Sequence, residues 1–267
     1  MAPLPTEFRK LRRSLSWPIV VLLPVIAVAS GAIGTLNTEQ GVTDGWHTLW
    51  IRSIGFYGMA LLPVGIAILA ALVWRVEHRN GNWNALMSTP SPTWRTVIGK
   101  VGAVAVMAGL MQVVLLITVV VVGKLVFGLP GLLPIEYILS SVLVIIACVP
   151  IAAIQSGLAT VIRSFAVPVA IALVVTGLST TALLIGPTAA LVSPYALATH
   201  ATQLGTSLVG ADNTSFDASS VSAASAALVV TVSTLWPCLL VAVAVYVLNR
   251  VDPRPCAPPR RPTAGAG

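Results

Sequence analysis

Apolar residues in this chain gather into long unbroken runs, and nearly all the charge sits in the short polar segments between them. Six runs reach about 20 residues or more, the length an α-helix needs to cross a hydrocarbon core of roughly 30 Å. They cover approximately residues 17–36, 50–74, 96–122, 137–161, 166–185 and 223–248. Strands of a membrane barrel would alternate apolar and polar positions instead, and only closed hydrogen-bonded elements can satisfy the backbone in lipid. The pattern predicts an all-α membrane protein with six transmembrane helices in a single domain over residues 1–250. Residues 251–267 are rich in Pro, Arg and small residues with little to bury, which predicts a disordered tail.

Composition agrees with this pattern. The 267 residues are 57% hydrophobic and 9% charged, with mean hydropathy +0.94, whereas a soluble domain carries roughly 25% charged residues. The net charge of +7 would suggest nucleic acid only if it formed a continuous surface. Instead it marks span ends, so a nucleic-acid partner is not expected and the surroundings are the lipid bilayer. Arg9, Lys10, Arg12 and Arg13 precede the first span, and Arg75, Arg79, Arg95 and Lys100 lie between the second and third. Arg163 separates the fourth and fifth, while Arg250, Arg254, Arg260 and Arg261 follow the sixth. Arg52 and Lys124 alone fall near the opposite side, so the positive-inside rule puts both termini in the cytoplasm. The preference for Arg, Ala, Val and Gly over Lys suggests a GC-rich bacterium and its cytoplasmic membrane. Ala27-Val28-Ala29 has the form of a signal-peptide cleavage site. The basic flank is long, however, and residues 31–36 extend the apolar run, so an uncleaved first helix is expected. Three cysteines, Cys148, Cys238 and Cys256, imply no disulfide framework.

Three polar segments hold the remaining information. In residues 6–15, TEFRKLRRSL, Phe8, Leu11 and Leu15 share one helical face among basic positions, the pattern of an amphipathic interfacial helix. Residues 75–100 read RVEHRNGNWNALMSTPSPTWRTVIGK. Asn80-Gly81 can end one helix, Asn82 can cap a short helix over 83–87, and Pro90 and Pro92 interrupt it. Trp83, Leu86 and Met87 are then presented outside the bilayer, a pattern suited to docking another protein. The competing reading makes Trp83 and Trp94 interfacial anchors. Residues 186–201, GPTAALVSPYALATHA, are interrupted by Pro187 and Pro194. Ser193-Pro194 reads as a cap and a first-turn proline, predicting a broken outer hairpin between spans five and six.

The order Glu77, Gly81, Trp83, Leu86, Met87, Pro90, Lys100 in the second connection, with six spans and an amphipathic N-terminal segment, resembles the ABC-2 type transporter permeases. Among these it is similar to the small permeases of lantibiotic-immunity and drug-export systems. The resemblance covers the whole chain in layout and this connection in residues. It implies that the connection carries a coupling helix seated in a groove of a separate ATPase subunit. It also implies a broken helical hairpin outside the membrane between spans five and six.

Missing motifs narrow the function further. Ile98-Gly99-Lys100-Val101 lacks the first Gly and the Ser/Thr of a Walker A loop, so no ATP hydrolysis by that device is expected from this chain. No G-x-S-x-G, H-E-x-x-H or paired intramembrane carboxylates occur, and no catalytic site or cofactor is expected. His47, His78 and His200 are scattered over different connections, so no metal site is expected. The spans lack the Asp, Glu or Lys of an ion-coupled carrier. Gln112 and Gln155 stand out within them, either as helix-packing residues or as polar residues of a transport pathway. The expectation is the membrane subunit of an ATP-binding cassette exporter, as a homodimer or paired with a related permease, moving an amphipathic peptide, drug or lipid. The alternative is a membrane protein not driven by ATP, either a secondary carrier or an assembly factor.

Overall fold

The computed structural model describes residues 15–38, 44–78, 93–185, 188–204 and 222–251. Among these residues every regular element is helical. In chain order they are α1 (Ser16–Leu36), α2 (Trp46–Phe56), a π-helical turn (Tyr57–Leu61), α3 (Leu62–His78), α4 (Thr93–Leu125), α5 (Ile135–Val161), α6 (Ala166–Ile185), a 3-10 turn (Thr188–Val192), α7 (Pro194–Gln203) and α8 (Ala223–Val251). With α2, the π turn and α3 joined into one rod, six helices are long and apolar enough to cross a membrane. The amphipathic segment 6–15, but for Leu15, and the tail after residue 251 lie outside the described residues.

Successive spans alternate in direction, so Arg75, Arg95, Arg163 and Arg250 come to one end of the bundle, here the arginine end. The α2–α3 rod and α5 are the most enclosed spans, whereas α6 and α8 leave most of their length uncovered. Leu173, Val174 and Leu178 on α6 and Leu235, Leu239 and Val243 on α8 are all exposed. An apolar exterior of this kind is what a lipid-facing surface requires, because lipid offers polar groups nothing to bond.

The rod begins at Trp46, earlier than hydropathy alone places it, because its first turn is held by neighbours rather than by lipid. Trp46 donates from Nε1 to the Pro130 carbonyl at 2.9 Å, and its ring occupies the space where a side chain at Gly123 would stand. His47 pairs through Nδ1 with the Tyr137 hydroxyl at 2.9 Å, and Trp50 stacks on Tyr137 at 4.9 Å. Lys124 donates to the carbonyls of Leu129 and Gly131. Arg52 donates to the Gly34 carbonyl at 3.0 Å and the Thr38 hydroxyl at 2.8 Å. Both stray cations are thus anchored locally at the end opposite the arginines.

The π turn has a covalent cause. Pro63 has no N–H to give the carbonyl four residues back, and its ring would crowd that carbonyl. The chain widens by one residue ahead of it, with Leu62 N–H donating to Tyr57 O, as π-bulges do. Two glycines then permit close approach. A Cβ on Gly31 would meet the backbone of Arg52 and Ser53 at 2.7–2.8 Å, so α1 and α2 approach main chain to main chain. A Cβ on Gly58, within the π turn, would lie 1.9 Å from the Thr202 hydroxyl of α7.

Candidate functional site

At the arginine end, α3 and α4 bracket residues 79–92. Trp74, near the end of α3, is 2% exposed, and Lys100, two turns into α4, is 0% exposed. The lysine Nζ lies 5.1 Å from the centroid of the Trp74 ring, within reach of a cation–π attraction. Val97 and Val101, on either side of the lysine in sequence, form with Ala153 of α5 a small second core against which Leu240 and Val241 of α8 pack. An ammonium removed from water costs several kcal/mol unless its surroundings compensate, so this is not an ordinary topological charge. The sequence pattern treats Lys100 as part of a polar connection; the helix instead starts at Thr93 and carries the lysine inward. Glu77 is on the last turn of α3, one turn beyond Trp74. Gly81, Trp83, Leu86, Met87 and Pro90 lie outside the described residues.

The polar residues of the spans are enclosed within the single chain. Gln112 of α4 donates from Nε2 to the Ser141 hydroxyl of α5 at 3.0 Å, and Ser141 in turn donates to the Tyr137 carbonyl. Gln155 of α5 donates from Nε2 to the Tyr195 hydroxyl of α7 at 2.5 Å. Both glutamines are fully buried, and the side-chain carbonyl of each has no hydrogen-bond partner.

Tyr195 brings the segment around Ser193-Pro194 into the interior. Pro194 occupies the first turn of α7, as its fixed φ favours. Ser193 makes no capping bond there; its hydroxyl lies 3.2 Å from that of Ser179 in the second half of α6. Trp236, at mid-α8, donates to the Val192 carbonyl at 2.9 Å, and Thr199 donates to the Gly58 carbonyl at 3.3 Å. Gly58 and Trp236 are mid-helix positions, so the 188–204 segment reaches into the bundle. Eight of the ten α7 residues are buried. A helix this short survives there because α5, α6, α8 and the π turn cover it, as backbone at membrane depth requires.

The model of the ABC-2 family transporter proteins matches residues 4–179, about two thirds of the chain. The chain belongs to the ABC-2 transporter family. No curated protein matches it. As an ABC-2 permease it is a multi-pass membrane protein of transport, and its fold is the six-span, all-helical one described above.

The matched region of this ABC-2 permease takes in the whole 79–92 segment and the Trp74–Lys100 contact. Two of the residues that hold the geometry were hidden in the sequence. Tyr195 sits in a stretch of middling hydropathy, and its signal was indirect: a glutamine inside a span needs a buried partner. Trp74 reads as the end of a span, where tryptophan usually meets headgroups; the lysine that claims its ring is distant in sequence. Among the described residues no three His, Cys, Asp or Glu side chains converge as a metal site would require.

Proposed function

We propose that this permease is the transmembrane subunit of an ATP-binding cassette exporter, driven by a separate ATPase that docks on residues 77–90 at the arginine end. That end then faces the cytoplasm of a bacterium, with both termini on the same side. Two permease subunits, identical or related, would enclose the pathway and work with two ATPase copies. The family match across this connection supports the reading, and one structural observation carries the mechanism. The helices on either side of the connection are locked into the bundle by Trp74 and Lys100, both essentially without solvent contact.

A lever needs such a base. If the connecting segment swung free of the bundle, movement of a docked ATPase would dissipate in the connection. With α3 tied to α4 at the Trp74–Lys100 contact, and α4 to α5 and α8 through Val97, Val101 and Ala153, a displacement there reorients four helices together. Packed helices of this kind move as bodies between discrete arrangements. Nucleotide binding then needs only to favour one arrangement over the other. Trp83, Leu86 and Met87 would supply the apolar anchors of the docking surface, and Glu77 a charge-assisted hydrogen bond to the ATPase or a brace for the connection.

Gln112 and Gln155 take a bracing role in the arrangement described, since each is bonded inside one subunit. A pathway role would require α7 or α5 to move and uncover their unpaired carbonyls. Cargo of weak polarity, such as an amphipathic peptide, a hydrophobic drug or a lipid, fits walls without buried carboxylates. The test is copurification of the ATPase with wild-type, Trp83→Ala and Glu77→Ala permease, alongside export. Loss of both with the protein still inserted supports the reading. Copurification and export unchanged in both variants overturn the docking assignment, and absence of any ATPase with wild type favours a carrier or an assembly factor.

A further inference from the structure

A cavity of about 310 Å³ opens at the arginine end between α3 and the α5–α6 connection. Arg75, Arg163 and Ser164 supply its polar lining, and Ala71, Ala159 and Phe165 supply apolar walls. The Arg75 guanidinium lies 6.0 Å from the centroid of the Phe165 ring, a contact that fixes its direction without neutralising its charge. Of the carboxylates whose side chains are described, Asp44 precedes α2 and Glu136 opens α5, both at the end of the bundle opposite Arg75 and Arg163. Two cations therefore converge on one cavity at the level where the spans leave the hydrocarbon. Beside it Val161, Phe165 and Val167 are exposed, an apolar ledge continuous with the lipid-facing side of α6.

We propose that this cavity holds the phosphate of an anionic phospholipid headgroup, with the acyl chains lying along the ledge. A planar guanidinium bonds two phosphate oxygens at once, and the Ser164 hydroxyl lines the same space. Basic pockets between helices at a membrane surface suit this chemistry. A zwitterionic headgroup brings its own ammonium, which two arginines repel. The arginines accept the headgroup at the seam where α3, α5 and α6 meet, so a bound lipid ties the base of the second connection to the spans behind it. The inference stands apart from the ATPase reading, because lipid retention is measured on the permease alone.

The full chain is purified in detergent with phosphatidylglycerol or phosphatidylcholine supplied, and retained lipid is counted by native mass spectrometry. Wild type is expected to keep phosphatidylglycerol in preference to phosphatidylcholine, with excess inorganic phosphate failing to displace it. The double variant Arg75→Gln/Arg163→Gln should lose retention about thirtyfold, and Arg163→Gln alone about fivefold, as expected for removing two or one basic contacts at a lipid surface. Arg163 lies in a connection, so its single variant tests the site even if the double variant elutes as aggregate. Equal phosphatidylglycerol retention in Arg163→Gln and wild type overturns the proposal. Displacement by inorganic phosphate would make this a free-phosphate site, and unchanged lipid with lost ATPase copurification would make it a protein contact; either result also overturns it.

Discussion

Removing the Tyr195 hydroxyl tests whether α7 is pinned inside the bundle. In Tyr195→Phe the ring, 3% exposed, keeps its packing, but Gln155 Nε2 loses its 2.5 Å partner. The Gln155 carbonyl is already unpaired, so the variant leaves an entire buried amide unsatisfied. Stranding a buried polar group costs about 1–3 kcal/mol, while interhelical bonds in membranes average about 0.6 and reach about 1.7 kcal/mol. Gln155 is fully buried, so the upper part of the membrane range applies, about 1–2 kcal/mol. For a chain of this size that corresponds to a drop of about 2–8 °C in unfolding midpoint. Removing both partners is the control, because an apolar pair of similar shape restores much of the loss. The cycle therefore uses Tyr195→Phe, Gln155→Leu and the double variant, followed by loss of monodisperse protein on heating in detergent. The double variant should be more stable than the sum of the single losses predicts. A Tyr195→Phe midpoint equal to wild type, or strictly additive losses, would refute the buried contact and with it the burial assigned to α7.

Two further outcomes follow from the same structure. Gly58→Ala should destabilise by about 1–3 kcal/mol through overpacking, since its Cβ would lie 1.9 Å from Thr202 Oγ1. Combination with Thr202→Gly should recover part of the loss in the same heating assay, and an unaffected single variant would show that α7 does not rest on the π turn. Orientation is read by labelling Cys256, in the tail, with an impermeant thiol reagent in a variant lacking Cys148 and Cys238. Reaction only after the cells are opened is expected, and labelling of intact cells would invert the assignment of the arginine end.

The six spans were legible because hydrophobic thickness imposes a length that no loop imitates, and Ser16–Leu36 and Ala166–Ile185 nearly coincide with their apolar runs. Trp46 was less legible, since its turn is held by Pro130 and Tyr137, residues contributed from far along the chain. Arg52 and Lys124 read as exceptions to the charge rule; each is absorbed by backbone carbonyls that composition cannot reveal. A 3-10 turn ends at Val192 and α7 begins at Pro194, but hydropathy does not state depth. Burial of α7 depends on Gly58 leaving a space and on Gln155 needing a donor or acceptor nearby. Lys100 is the sharpest case. Its charge pointed to a surface, while its neighbours Val97 and Val101 and the distant Trp74 ring draw it inside.

Docking of a separate ATPase on the 77–90 connection is read directly by affinity copurification of tagged permease from its native cells. Trp83→Ala truncates the proposed aromatic anchor, a change that at buried interface positions often costs about 2 kcal/mol or more, roughly thirtyfold in affinity. Trp83→Ala permease is expected to reach the membrane at wild-type level, recover about thirtyfold less ATPase and export no substrate. Full ATPase recovery and full export from that variant would contradict the docking.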